Sequence, residues 1–290
     1  MILAGRSRDQ IAALEAERLI EELGITSLPI NPIAIAESLG ILVEPKATFG
    51  GVSGMLIRLG NEFGIAYATH IDSEGFKRFC VAHEIGHYRL PGHIDAVLAH
   101  GDIHESHAGF VTGDPYEREA DMFAASLLMP DALFTREMRS LGDGLQAVEA
   151  LAGRCITSLP AAANRYVQKA SVSVAMVVSA GPRIDYCFMS GPLQDFDKLE
   201  WPRKGQPLPA GCETDRFNSD PENVRTAGHA NAEAELRDWF GGVRSIPGTE
   251  EIVGLGRYSK TLTVLSSEVF ADDEDEDDDL EERWEPRFRR

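Results

Sequence analysis

Residues 78–90, "RFCVAHEIGHYRL", carry two imidazoles, His83 and His87, four residues apart, with the carboxylate of Glu84 directly after the first. On a helix, residues i and i+4 share a face about one turn apart, so both imidazoles can reach one tetrahedral cation. Glu84 is rotated about 100° from His83, which makes it a poor third ligand on that face. It is well placed to take a proton from a metal-bound water. A metal lowers the pKa of its water towards ~7, and a carboxylate that accepts the proton can return it to a leaving amine. This is the chemistry that peptide hydrolysis requires. The competing reading is a helix with two surface histidines. Gly86 weighs against it, because glycine inside a helix costs ~1 kcal/mol relative to alanine and suits a place where another backbone or a substrate must come close.

A catalytic zinc takes three protein ligands and keeps one position open. The segment "EREAD" offers Glu117 and, four residues on, Asp121. The two share a helix face, so Glu117 can bind metal while Asp121 accepts a hydrogen bond from the second nitrogen of a ligand histidine. Glu119 is the rival ligand, but it lies about 200° from Glu117 around the helix and should point elsewhere. His93, His100, His104 and His107 crowd the intervening segment. One of them, or Tyr88 or Tyr116, could stabilise a developing oxyanion, although a polar loop also contains histidines for no catalytic reason. Cys80, three residues before His83, is either a thiolate for the open metal position or a buried core residue.

These residues need elements to hold them. The histidine helix is expected from Ser73 to about Leu90, closed by Pro91-Gly92, and the glutamate helix follows as "YEREADMFAASLLMP", closed by Pro130. Upstream, "RDQIAALEAERLIEELGI" repeats Ile11, Leu14, Leu19 and Ile20 at helical spacing. "NPIAIAESLG" fits a short helix with Asn31 as N-cap and Pro32 at its first position. "ILVEPK" reads as a strand, and "GMLIRL" and "EFGIAYA" read as a hairpin turning at Gly60-Asn61. Residues 91–116 read as a long polar loop. Helices fit 131–139 and 144–154, and "ITSLPAAANRYVQKA" completes a pair that resembles a helix-turn-helix over 144–169. Arg154, Arg165 and Lys169 would be its phosphate contacts, and an ordinary helical hairpin explains the same pattern.

After residue 170 the texture becomes β. "SVSVAMVVSA" with "RIDYCFMS" makes one hairpin and "IVGLGRYSKTLTVLSS" a second, separated by loops and a short helix around Glu233–Phe240. The expected architecture is α+β: a zincin-like metallopeptidase domain over 1–170, a mainly β, GAF/PAS-like regulatory domain over 171–270, and a disordered acidic tail over 271–290. The tail holds 11 acidic and 4 basic residues of a chain whose 290 residues sum to −19. The remaining −12 disfavours broad duplex-DNA binding and favours basic protein partners. The run at 272–279 could mimic DNA and attract a basic repressor, or only solubilise. The four cysteines form no CxxC pair, which argues against a disulfide framework or a thiolate zinc site. No signal-like apolar core opens the chain and no run of ~18 apolar residues follows, so a cytoplasmic protein without membrane contact is expected.

"RFCVAHEIGHYRL" followed by "EREADMFAASLLMP", together with the N-terminal "INPIAIAESLGI" and the hairpin, resembles the ImmA/IrrE family of zinc metallopeptidases over roughly residues 8–170. The resemblance implies a gluzincin-like site with His83, His87 and Glu117 on Zn2+ and Glu84 as general base. It implies a helix-turn-helix (XRE-like) repressor as substrate, whose cleavage derepresses DNA-damage, mobile-element or phage-defence genes. It also implies a C-terminal domain that senses a nucleic-acid or small-molecule inducer. The alternative of another class is a DNA-associated regulator with a structural or vestigial zinc site, which would have no need of Glu84.

Overall fold

The computed structural model describes residues 7–48, 51–107, 113–242 and 244–271. The acidic run 272–279 and the rest of the tail expected to be disordered lie outside these residues, Ala271 excepted. The chain divides into two compact units, residues 1–141 with 149–162 and residues 142–148 with 163–290. Among the described residues no helix is long and apolar enough to cross a membrane.

The first unit opens with α1 (Arg8–Glu22), started by a capping box in which Ser7 and Gln10 satisfy each other's backbone amides. Its buried face is set by Ala12, Ala16, Leu19 and Ile20, while Leu14, expected in the core, is 37% exposed. Two alanines on the inner stripe allow α1 to lie close on the glutamate helix, and the bulkier Leu14 falls outside that contact. Next come α2 (Pro32–Ser38), β1 (Ile41–Lys46), β2 (Val52–Leu59) and β3 (Glu62–Ala68). Asn31 caps α2 by accepting from the amides of Ile33 and Ala34 at 3.1 and 3.2 Å. The histidine helix is α3 (Glu74–Arg89), whose N-cap Ser73 accepts from Phe76 N.

The polar loop expected over 91–116 is not one. It contains α4 (His93–Val97) and β4 (Ile103–His107). The sheet order is β1-β3-β2-β4, with β1 parallel to β3 and the other pairs antiparallel. Thus β4 is an edge strand. "IHESH" hides its alternation because the two inward positions, His104 and Ser106, are polar.

The glutamate helix is α5 (Pro115–Leu128), with Asp114 capping and Pro115 at its first position. Phe123, Leu127 and Leu128 are fully or almost fully buried in the core of this unit, a burial of about 1.5–3 kcal/mol each. Then follow α6 (Asp131–Met138), α7 (Leu145–Cys155) and α8 (Leu159–Lys169). Both α7 and α8 pass from one unit into the other. Arg154, a phosphate contact in the helix-turn-helix reading, is paired with Glu137 instead.

The second unit holds a five-stranded antiparallel sheet, β6-β5-β9-β8-β7, built from β5 (Ser173–Ala180), β6 (Arg183–Met189), β7 (His229–Glu235), β8 (Pro247–Gly254) and β9 (Thr261–Ser267). Short helices α9 (Gly191–Gln194), α10 (Glu213–Asn218), α11 (Pro221–Arg225) and α12 (Leu236–Phe240) lie between the strands in sequence. Ala175, Val177 and Leu265 pack against Leu236, Trp239 and Phe240, and the alternate residues Val174, Met176 and Val178 are buried as well. The helix expected around Glu233–Phe240 begins only at Leu236. "HANAEAE" is rich in helix-forming alanine and glutamate, but pairing along β8 from His229 to Glu235 makes it a strand. Glu250, 2% exposed, accepts from Thr214 N and Thr214 Oγ1 and so ties α10 to the sheet.

Candidate metal centre

Helices α3 and α5 pack so closely that a Cβ on Gly86 would stand 3.2 Å from Ala120 Cα and 3.2 Å from Phe123 Cδ1. The backbone approached at Gly86 is therefore α5. This contact brings the first turn of α5 over the histidine face of α3. His83 Nε2 and His87 Nε2 lie 3.0 Å apart, Glu117 Oε2 is 3.3 Å from the first, and Glu117 Oε1 is 3.3 Å from the second. Donors held ~2.0–2.1 Å from one tetrahedral ion are separated by about 3.3 Å. The two imidazole nitrogens and the two Glu117 oxygens stand at 3.0–3.3 Å, close to that spacing, and these residues form a grouping able to hold a metal ion. Asp121 Oδ1 lies 2.9 Å from His83 Nδ1, the nitrogen turned away from the cluster.

Glu84 completes the fit. It is wholly buried, and among the described residues neither of its carboxylate oxygens has a hydrogen-bond partner. A buried carboxylate left so is costly unless a cation or a polar ligand faces it. It shares a cleft with Ser53, Phe79, Cys80, His83, Ser106 and Asp121. Strand β2 closes over it at Gly54, where a Cβ would sit 2.5 Å from Glu84 Oε1.

The electrostatics are those of a compact charged cluster. Burial raises the Glu84 carboxyl above its ordinary pKa, and the nearby His83 opposes that rise. Burial alone would lower His83, but hydrogen bonds with Asp121 and Glu117 outweigh it and lift His83 to about 10. Burial takes His87 down to about 3. Glu117 would be raised by burial, yet hydrogen bonds from His104, His83 and His87 hold it well below the usual carboxylate range. Cys80 is 3% exposed, and burial, with the neighbouring Glu84 adding, pushes its thiol up to about 12. Of the two readings of Cys80, its burial and raised pKa favour the buried core thiol.

The histidines of the 91–116 segment separate clearly. His104, on β4, places Nε2 3.0 Å from Glu117 Oε1 and its ring edge-on to His87 at 4.7 Å. His93 lies behind His87, with Nδ1 to Nδ1 at 3.2 Å. His107 is exposed at the end of β4 and His100 is exposed after α4. Tyr88 packs on Phe63, and Tyr116 packs edge-on to His93. Glu119 pairs with His93 and Arg8, away from the three-donor cluster. No spacing rule could have selected His93, His104 or Gly54, since each reaches the site from an element with no local register to α3.

The family model described as "Peptidase_M78: IrrE N-terminal-like domain" matches residues 59–166, a span that includes β3, α3, β4 and α5. No curated protein matches the chain in sequence. Among solved structures, a Mycobacterium tuberculosis transcriptional regulator is similar in fold with a TM-score of 0.56 at 13% identity, over 89% of this chain and 76% of that one. The domain match spans both helices that assemble the His83, His87 and Glu117 cluster, so this part of the chain is similar to an IrrE N-terminal-like peptidase domain.

Proposed function

We propose that the protein is a zinc-dependent endopeptidase that cleaves a helix-turn-helix, XRE-like repressor and thereby derepresses stress, mobile-element or phage-defence genes. The observation that carries the peptidase reading is Glu84, a fully buried carboxylate whose two oxygens have no hydrogen-bond partner among the described residues, beside three converging donors. His83, His87 and Glu117 would hold the metal. Bound zinc would polarise the scissile carbonyl and lower the pKa of water towards ~7. Glu84 takes the proton of the attacking water and returns it to the leaving amine, and its burial-raised pKa suits a group that must do both. Asp121 accepts from His83 Nδ1 and fixes which nitrogen faces the metal.

His104 is the candidate donor to the developing oxyanion, because among the histidines of its segment it is the one whose ring nitrogen meets Glu117, at Oε1. His104→Ala is expected to lower kcat by about 10²–10³-fold while the protein retains its metal. Unchanged kcat in steady-state assays removes His104 from the mechanism. Gly54→Ala should push the Glu84 carboxylate aside, with the metal still bound, and misplacement of a reacting group on this scale costs about 10²-fold in rate. Full activity in that variant would mean that the position of Glu84 does not matter.

The second unit is the proposed sensor. Its sheet pairs the first strand, β5, with both its hairpin partner β6 and the last strand, β9, an order compatible with a GAF/PAS-like domain. A nucleic-acid or small-molecule inducer acting there should change the cleavage rate, and a rate unaffected by every inducing condition removes the sensor role. One observation favours the second reading, of a DNA-associated regulator with a structural metal. His104, His87 and Glu84 also form a grouping with ligand spacing, in which Glu84 would be a ligand and not a base. The experiment that separates the two is incubation of the metal-loaded protein with the repressor encoded nearby, with and without chelator. Metal-dependent scission that Glu84→Gln abolishes supports the peptidase, and an intact repressor under every inducing condition argues for the regulator.

A further inference from the structure

The two histidines of the metal cluster are supported differently. His83 turns its outer nitrogen straight to a carboxylate, Asp121. His87 turns Nδ1 to another imidazole, His93 Nδ1 at 3.2 Å, and His93 Nε2 lies 3.1 Å from Glu119 Oε2. Glu119 Oε1 meets Arg8 Nε at 2.5 Å. The Arg8 guanidinium sits 5.0 Å from the centroid of the Tyr116 ring, which packs edge-on to His93. His93 is fully buried and Glu119 is 6% exposed. The chain of contacts joins four helices: α3, the first residue of α4, α5 and α1.

The polarity of this chain follows from the inventory of donors and acceptors. An imidazole that gives the lone pair of Nε2 to a metal carries its proton on Nδ1. His87 Nδ1 is then a donor, so His93 Nδ1 must accept. The proton of neutral His93 must sit on Nε2, where it is donated to the Glu119 carboxylate. Within these contacts no other assignment satisfies both hydrogen bonds. Glu119 lies about 200° around α5 from Glu117, so its carboxylate faces away from the metal cluster and His93 spans the gap.

The geometry points to a relay of fixed polarity, His87 to His93 to Glu119 with Arg8 as anchor, that holds His87 in the metal-binding tautomer and orientation. His93 and Glu119 are positioning residues in this scheme. The inference rests on the reading of His83, His87 and Glu117 as metal ligands. It gives Glu119, the rival of Glu117 for the metal, a distinct task.

Loss of an outer hydrogen-bond partner of a metal-bound histidine typically costs 10–100-fold in metal affinity. His93→Phe keeps the ring volume and removes both nitrogens, leaving a buried donor on His87 without an acceptor. Zinc affinity measured by competition with a chromophoric chelator is expected to fall by about 10–100-fold in this variant. His93→Gln, which can accept with its carbonyl and donate with its amide, should recover most of the loss. Glu119→Ala should weaken binding too, and the double variant should be little worse than His93→Phe alone, since both changes break one chain. Unchanged affinity in His93→Phe, or fully additive losses, overturns the relay. A second readout needs no variant: nitrogen-15 NMR of histidine-labelled, zinc-loaded wild type should place the proton of His93 on Nε2 and that of His87 on Nδ1. A proton on His93 Nδ1 contradicts the relay even if the variants fail to fold. A wild type that binds no zinc overturns the metal reading and the relay with it, an outcome distinct from zinc-binding wild type and unaffected His93→Phe.

Discussion

Glu84→Gln is expected to lower peptide hydrolysis by about 10²–10⁴-fold, the usual contribution of a positioned general base, with metal content unchanged. The amide keeps the volume of the carboxylate inside a wholly buried site but cannot take a proton from water. The same substitution should stabilise the metal-free protein. A buried carboxylate whose two oxygens have no partner among the described residues costs free energy on folding, and a neutral amide reduces that cost. Steady-state cleavage assays and thermal melts of metal-free protein check the two halves together. An inactive variant with a raised Tm is the signature of a residue retained for chemistry at the expense of stability. Wild-type activity in Glu84→Gln would remove the general base from the scheme.

Glu117→Ala is expected to lose the metal. It removes the only carboxylate in the three-donor cluster and takes from His83 Nε2, His87 Nε2 and His104 Nε2 the Glu117 oxygens they face. Affinity should fall by more than the ~100-fold that bounds the loss of an outer partner, because a direct ligand and its charge both go. Asp121→Asn, which alters only the hydrogen bond to His83 Nδ1, should stay within that bound. Metal analysis and chelator competition on the two variants give the ranking. Retention of metal by Glu117→Ala together with its loss in Glu119→Ala would exchange the roles of the two glutamates.

The residues that stand together through helix periodicity were legible in the sequence. His83 with His87, and Glu117 with Asp121, are one-turn neighbours, and two such pairs facing each other suffice to suggest a site. The identity of the neighbour at Gly86 was not legible, nor was the contribution of β4, because a strand whose inward residues are His104 and Ser106 shows no apolar alternation. Gly54 and His93 could not be chosen from sequence for the same reason. Their importance depends on distances from Glu84 and His87 that only the packing of β2 and α4 fixes. Around Glu233–Phe240, local helix preference and sheet pairing disagree. Pairing holds the chain extended to Glu235, and the helix starts where Leu236 can enter the core. In α1 the apolar pattern marked the helix, but the close approach to α5 selected alanines for the inner face.

The central claim is an open site, with three protein ligands and Glu84 turned to the remaining position. X-ray absorption spectroscopy of the zinc-loaded protein tests it most directly. The expected result is two imidazole nitrogens and one carboxylate oxygen at about 2.0–2.1 Å, with a further light-atom ligand that is not a protein side chain. The imidazole count should stay at two in His104→Ala. Three imidazoles in the wild type, falling to two in His104→Ala, would mean a closed structural site and would contradict the peptidase account.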